Sequence, residues 1–272
     1  MANSMASDKG ISIAPHNGPD GKSSAVAELR GFLGGNIPSA LDDTLLLLFL
    51  ENRRFHVPSA AERAAKLAEA CRDLRIDSFD APDDEILKGL KTGIWFWGRT
   101  AEEREKFVDH AGRPFLYLFM EIDWSKLSAT VFCKTAVWCM VGLAKAYPKS
   151  QTEGVNVLGL MDKTTFSMVN IKAQKYVMSV MQGAVPFKVH RIYIAHQPWF
   201  VSAVVWPILR PVFQRKMRER VFFLGNKGFE ESVLRHIKGG IPCAPEAVGG
   251  KFKQNGTDVA EFFERVALEK KK

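Results

Sequence analysis

Apolar positions recur at the spacing of helix faces up to about residue 76, then gather into short buried runs separated by longer helical stretches. In the first part, 25–33 reads as a short helix stopped by Gly34 and Gly35. Asp42 and Asp43 precede an almost continuous apolar run over 44–50. Carboxylates suit the positive end of a helix dipole, and Arg53 and Arg54 suit its other end. Ser59 is placed as the cap of a helix over 60–74, with Ala61, Ala64, Ala65, Leu67 and Ala68 as its packing stripe. Residues 77–113 are mixed, and 109–114, from Asp109 to Pro114, carries a turn signature. Beyond it, buried strands are predicted over 115–122, 155–161, 190–195 and 220–224. Helices are predicted over 127–147, 169–182, 198–213 and 230–237, and a last one over 259–268 capped by Asp258. Strand alternating with helix predicts a mainly parallel sheet, so the fold class is α/β behind an all-helical N-terminal lobe.

Composition supports an ordinary globular chain. Its 272 residues are 46% hydrophobic and 25% charged, enough apolar side chain to fill a core and line a cavity as well. Collagen, a disulfide scaffold and a mostly disordered chain are excluded. The expected organisation is a disordered N-terminus over 1–24, a helical lobe over 25–80, a connecting segment over 81–113, a sheet-and-helix domain over 114–256, and a C-terminal helix with a basic tail over 257–272. Cys71, Cys133, Cys139 and Cys243 form no C-x-x-C pair and read as free thiols of a reducing compartment. Residues 1–24 lack the apolar run of a secretory signal. The longest uncharged apolar stretch, 197–209, is about half of the ~20 residues a spanning helix needs. A cytoplasmic protein is expected.

Net charge is +8, which suits an anionic partner and equally a solubilising surface. Lys and Arg are not interleaved with aromatics along a groove-reading helix, so nucleic acid is not an expected partner. Catalytic signatures are missing: no H-E-x-x-H, G-x-S-x-G or phosphate-binding loop occurs, and the six histidines show no metal-ligand spacing. No catalytic residue, metal or cofactor is expected.

Three features call for explanation. As a helix, 198–209 is apolar on nearly every side, whereas a surface helix shows a polar face. It reads either as core or as a cover over an internal cavity that can meet a membrane, and Pro207 and Pro211 would weaken it. Directly after it come Arg210, Arg215, Lys216, Arg218 and Arg220 against a single acidic residue, Glu219. Basic charge beside an apolar flap follows the two-signal logic of peripheral membrane binding. Finally, Val169, Ala173, Val177 and Val180 form one apolar stripe, which is core, or the wall of a cavity if the domain is hollow.

Taken in order, several motifs resemble the CRAL-TRIO family of lipid-binding and lipid-transfer domains over about residues 25–253. The stretch 41–57, with Leu48-Phe49-Leu50 and Arg53-Arg54-Phe55, resembles the family's helical lobe. Asp109-x-x-Gly112-Arg113-Pro114 resembles its approach to the sheet, and 192–200, ending His196-Gln197-Pro198-Trp199-Phe200, the strand leading into its gate helix. Arg210-Pro211-Val212-Phe213, then 221–225, then Pro245-x-x-Val248-Gly249-Gly250 follow in family order, with Val248 where an aromatic is usual.

The resemblance implies a helical lobe packed on a sheet-plus-helix domain with one apolar pocket, closed by a mobile gate at about 198–213. It implies a lipid cargo rather than a cofactor, transient docking to an anionic membrane, and in some members presentation of phosphatidylinositol to a lipid kinase; a lipid-sensing adaptor built on the same pocket is the alternative. The expected pocket walls are Leu158, Leu160, Val169, Val177, Val180, Val185, Phe187, Ile192, Ile194, Phe200, Val204 and Ile208. Arg53, Arg54 and Arg220 match positions that are basic in phosphoinositide-handling members, and Lys188 and Lys216 match basic positions of tocopherol-carrier-like members. Phe187 stands where phosphatidylinositol-transfer members place a Glu, which favours an apolar or non-inositol cargo.

Overall fold

The computed structural model describes residues 19–35, 37–225, 233–246, 249–253 and 255–269. Helices α1 (Pro19–Leu33), α2 (Asp43–Asn52) and α3 (Val57–Leu74) pack on one another as the N-terminal lobe. α1 begins inside the stretch expected to be disordered. A proline is tolerated in a first helical turn because its missing N–H has no partner to lose there, and Ala25, Val26 and Leu29 bury the helix against its neighbours. Residues 1–18 lie outside the described residues. The Asp42 carboxylate caps α2, accepting from the Leu45 N–H at 2.7 Å. α3 starts earlier than its sequence pattern suggests: His56, not Ser59, is the cap, its Nδ1 facing the Ser59 N–H at 3.3 Å, with Pro58 in the first turn.

The mixed stretch holds α4 (Asp84–Lys91), β1 (Trp95–Phe96) and α5 (Ala101–Lys106). Then follow β2 (Phe115–Phe119), α6 (Ala129–Ala146), β3 (Val155–Leu160), α7 (Ile171–Gly183), β4 (Val189–Ala195) and, after a covering segment, β5 (Val221–Leu224). The sheet order is β1-β2-β3-β4-β5, parallel from β2 to β5, with β1 antiparallel at one edge. Each new parallel strand is added on the same side, so crossovers of one hand put α6, α7 and the β4–β5 connection over the same face. The register aligns Leu118, Gly159, Ile194 and Phe223 on that face, and Tyr117, Leu158, Tyr193 and Phe222 on the other. The second face is covered by an aromatic cluster of Phe96, Phe107, Tyr117 and Phe252, and the Tyr117 hydroxyl donates to the Cys243 carbonyl at 3.2 Å.

α6 is long and apolar enough to cross a membrane by length and composition, but it is mostly buried within the fold. Its two lysines are paired: Lys134 with Asp83 and Glu85, each at 2.7 Å, and Lys145 with Asp42 at 3.1 Å and Asp80 at 2.9 Å. The turn before β2 is knitted by Asp109. Its Oδ1 accepts from the N–H groups of Ala111 and Arg113, both at 2.9 Å, and its Oδ2 from Arg113 Nη1 at 3.2 Å and Asn156 Nδ2 at 3.0 Å. Gly112 supplies the left-handed turn with φ 81°.

Of the helix expected over 230–237, residues 230–232 lie outside the described residues and Leu234–His236 form a single 3-10 turn. Ala247 and Val248 of the 245–250 motif also lie outside them. The last helix, α10 (Gly256–Glu269), begins before Asp258, and the preceding Asn255 Oδ1 accepts from the Thr257 N–H at 3.0 Å. It packs on α4, and Phe263 contacts the rings of Trp97 and Trp138.

Candidate functional site

Between the sheet and its helical cover lies an apolar cavity of about 100 Å³. On this scale one water needs ~10–15 Å³, so the space exceeds a packing defect. Its floor is Leu118 and Met120 from β2 and its exit, Val157, Gly159 and Met161 from β3, Ile192 and Ile194 from β4, and Val221 and Phe223 from β5. α7 supplies Gln174, Met178 and Met181, and the loop before it Thr164 and Val169. Unbranched methionine side chains repack readily, which suits a wall that must fit a guest.

Gly159 shapes that floor. A Cβ there would point towards the cavity and meet Ile194 Cδ1 at 3.3 Å, a contact a small shift relieves. Gly159→Val should keep the fold, since a β-branched residue suits a strand interior better than glycine. It is expected to weaken binding of an apolar fluorescent probe by about tenfold or more, that is by at least ~1.4 kcal/mol. Unchanged affinity in a fluorescence titration would place the probe's site elsewhere.

The roof is residues 201–212. His196, with φ 54°, turns the chain out of β4. A wide π-helical turn, Val201–Val205, then runs into α8 (Trp206–Leu209) and a 3-10 turn, Arg210–Val212. Pro207 and Pro211 have no N–H to donate, so the carbonyls one turn before them lose their helical partners. π turns occur often at functional sites. Val201, Val205, Leu209 and Phe213 face the cavity. The outward side is apolar as well: Trp199 is 75% exposed, Phe166 63% and Ile208 44%. Phe166 and Trp199 each contact the Phe200 ring, at 5.6 and 6.3 Å between centroids. Next in the chain come Arg210 and the short helix α9 (Arg215–Arg218), whose Arg215, Lys216 and Arg218 are exposed.

Gln182 fastens the far end of this roof to α7. Its Nε2 donates to the Val212 carbonyl at 3.1 Å and its Oε1 accepts from the Gln214 N–H at 2.8 Å. Arg63 of α3 ties the lobe to the end of α7, donating to the Gln182 and Val185 carbonyls at 3.1 Å each, and burial lowers its pKa to about 10.

Val169, Ile192 and Ile194 of the expected walls line the cavity, and the rest do not. Leu158 and Leu160 lie on the opposite face of β3, because the cavity takes Val157, Gly159 and Met161. Val177 and Val180 belong to the seam where α7 packs on α6 and α3, one helix face away from Gln174, Met178 and Met181. Val185 and Phe187 are core residues outside the cavity. Phe200, Val204 and Ile208 sit one position out of phase with the inward stripe of Val201, Val205 and Leu209. The sequence signal that could have found Gly159 was the interruption itself, a glycine inside a buried run, whereas Gln174 stands between the exposed Lys172 and Lys175 and carried no such signal.

The five basic residues are spread over several elements. Arg53 and Arg54 close α2, where Arg54 and Phe55 take φ 52° and 59°; Arg54 is exposed and Arg53 half-buried. Lys188 is exposed before β4, its Nζ donating to the Thr152 carbonyl at 3.3 Å, and Lys216 is exposed on α9. Arg220 donates to the Val189 carbonyl and, together with Arg113 and Arg191, helps hold the His190 pKa low, after burial, which is the largest cause. Arg220 therefore serves the β4–β5 junction. Burial raises the thiol of Cys71 to about 12 and that of Cys133 to about 11, so neither is a thiolate at neutral pH.

An α/β domain that keeps an apolar cavity between one sheet face and a weakened helical cover is a domain built to enclose an apolar ligand. The family model of the CRAL/TRIO domain matches residues 106–250, just over half of the chain, and the protein belongs to that family, whose general function is the binding and transfer of lipids. Among solved structures, the crystal structure of Sfh5 is similar with a TM-score of 0.48 at 8% identity, over 84% of this chain and 81% of that one. No curated protein matches the chain at a significant level.

Proposed function

We propose that the protein carries one lipid in the cavity beneath 201–212 and exchanges it at an anionic membrane surface, leaving the cargo chemically unchanged. The observation that carries this reading is the roof itself, apolar towards the cavity through Val201 and Val205 and apolar towards solvent through Trp199 and Ile208, with a basic run directly after it. Exposing an acyl chain to water costs about 0.8 kcal/mol per CH₂. A cover that opens only against a bilayer removes most of that barrier without breaking a bond. The cavity of about 100 Å³ takes a long-chain guest only when 201–212 moves outward and the methionines repack. The main cargo is an apolar or non-inositol lipid: Thr164 and Gln174 are the non-aromatic polar side chains of the lining among the described residues, too few to pair the hydroxyls of an inositol ring. The protein works as a peripheral cytoplasmic carrier.

The test is transfer of fluorescent lipids between vesicles. Acceptors rich in phosphatidylserine should be served faster than neutral ones. That advantage should shrink between ~0.01 M and ~1 M salt, as the screening length falls from about 30 to about 3 Å. Rates that ignore both lipid charge and salt would rule out electrostatic docking.

A further inference from the structure

We propose that a polar pocket on the far face of the sheet binds a small organic acid that carries a hydroxyl group. The pocket measures about 170 Å³, room for on the order of ten water positions. Phe115, Asn156 and Arg191 pair in one row across β2, β3 and β4, on the face that carries Tyr193 and turned away from the apolar cavity. Asp109, Arg113 and His236 close the pocket from the segments beside the sheet. His190 reaches it through a β-bulge. Val189 pairs with Val155 and Arg191 with Asn156, so β4 spends one residue more than β3 between the two pairs. Regular alternation would put His190 on the cavity face with Ile192; the bulge brings it into the polar pocket with Arg191. Bulges are rare between parallel strands and frequent next to functional sites.

Asn156 and Arg191 define the guest. Asn156 is 2% exposed, and its Nδ2 donates to Asp109 Oδ2 at 3.0 Å. A carboxylate only accepts, so the amide nitrogen must face it, and Asn156 Oδ1 is left buried with no hydrogen-bond partner in the wall of the pocket. Buried polar atoms are almost always paired, so Oδ1 asks the guest for a donor. Arg191 asks for a negative charge. Its Nη1 donates to the Tyr193 hydroxyl at 3.1 Å and its guanidinium stacks 5.6 Å from the Phe222 centroid, but it has no carboxylate partner among the described residues. Arg113, by contrast, is spent on Asp109 and on the Glu153 carbonyl at 3.1 Å. His190 adds no further charge at neutral pH, since burial first, then Arg113 and Arg191, hold its pKa low. An ammonium would satisfy Oδ1 but would stand against two guanidinium groups. A phosphate dianion brings one charge more than Arg191 balances, and a plain carboxylate has no donor for Oδ1. What fits is a monoanionic hydroxy acid, its carboxylate on the free edge of the Arg191 fork and its O–H donating to Asn156 Oδ1. Neighbouring strands lie about 4.8 Å apart, so one small molecule spans both side chains.

Mandelate and phenylacetate are monoanions at neutral pH that differ by one hydroxyl, so they form a matched pair of probes. In calorimetry the full chain should bind one mandelate enantiomer saturably and about tenfold tighter than phenylacetate, the scale of one hydrogen bond. Arg191→Gln, at an exposed position, should weaken both acids by about tenfold or more and leave the transfer of fluorescent lipids unchanged, because the apolar cavity lies on the other face. If Arg191→Gln does not fold, Arg191→Lys, which keeps the charge and loses the fork, serves the same comparison, and the wild-type ratio decides on its own. Mandelate should also shift the His190 imidazole signals in NMR spectra. Absence of saturable binding, equal affinities for the two acids, an Arg191 variant that binds as the wild type does, or inorganic phosphate bound more tightly than mandelate would each overturn the proposal.

Discussion

Aspartate at both Trp199 and Phe166 is expected to slow inter-vesicle lipid transfer by about two orders of magnitude or more. Burying a large apolar side chain contributes about 1.5–3 kcal/mol, and every 1.4 kcal/mol is about tenfold. Two such side chains withdrawn from the bilayer therefore cover that loss, and the new carboxylates repel an anionic surface in addition. The folded protein should scarcely notice, because the two residues are 75% and 63% exposed and substitutions at such positions usually stay within about 0.5 kcal/mol. Transfer rates and thermal melts of the same preparation check both halves. A variant that melts early would show the aromatics to be packing residues. One that transfers at the wild-type rate would show that docking uses another surface.

The largest effect on stability is expected at Asp109. Asp109→Ala removes the acceptor for two backbone N–H groups, for Arg113 and for Asn156 at once. Removing one partner of a buried ionic network costs about 3–5 kcal/mol. In a chain of this size each kcal/mol lowers Tm by about 2–4 °C, so a drop of about 6–20 °C should appear in calorimetry. Asp109→Asn, which keeps an acceptor but loses the charge, should fall between the two. A shift under about 2 °C for Asp109→Ala would mean that water replaces the carboxylate at little cost.

The fold was legible wherever a pattern had only one physical reading. Alternation of strand and helix after Pro114 dictated a parallel sheet, and the carboxylate before 44–50 placed the start of α2. α3 was misplaced because a histidine can cap a helix as a serine does, and the pattern cannot show which side chain turns back. The cavity was harder to read for a different reason. β3 is buried on both faces and the roof is apolar all round, so neither carries an alternation that distinguishes inside from outside. Leu158 and Val157 are equivalent to any scale of hydrophobicity, and only the register with β2 and β4 tells them apart. The α7 stripe was misleading in the opposite way. Its cleanest apolar face, through Val177, is the helix–helix seam, while the cavity takes the face broken by Gln174.

The two ends of the roof are fastened unequally. Gln182 holds residues 212–214 by hydrogen bonds, while the Val201–Val205 turn presents small apolar side chains to the cavity. Hydrogen bonds resist displacement in a chosen direction, and dispersion contacts are replaced at no loss by lipid tails. On the proposed carrier reading, the roof would act as a door with its jamb at Val212 and its latch beside Trp199, released by a bilayer. On that reading the doorway would open next to Phe166 and Phe200, and the cargo's path from protein to membrane would not cross water.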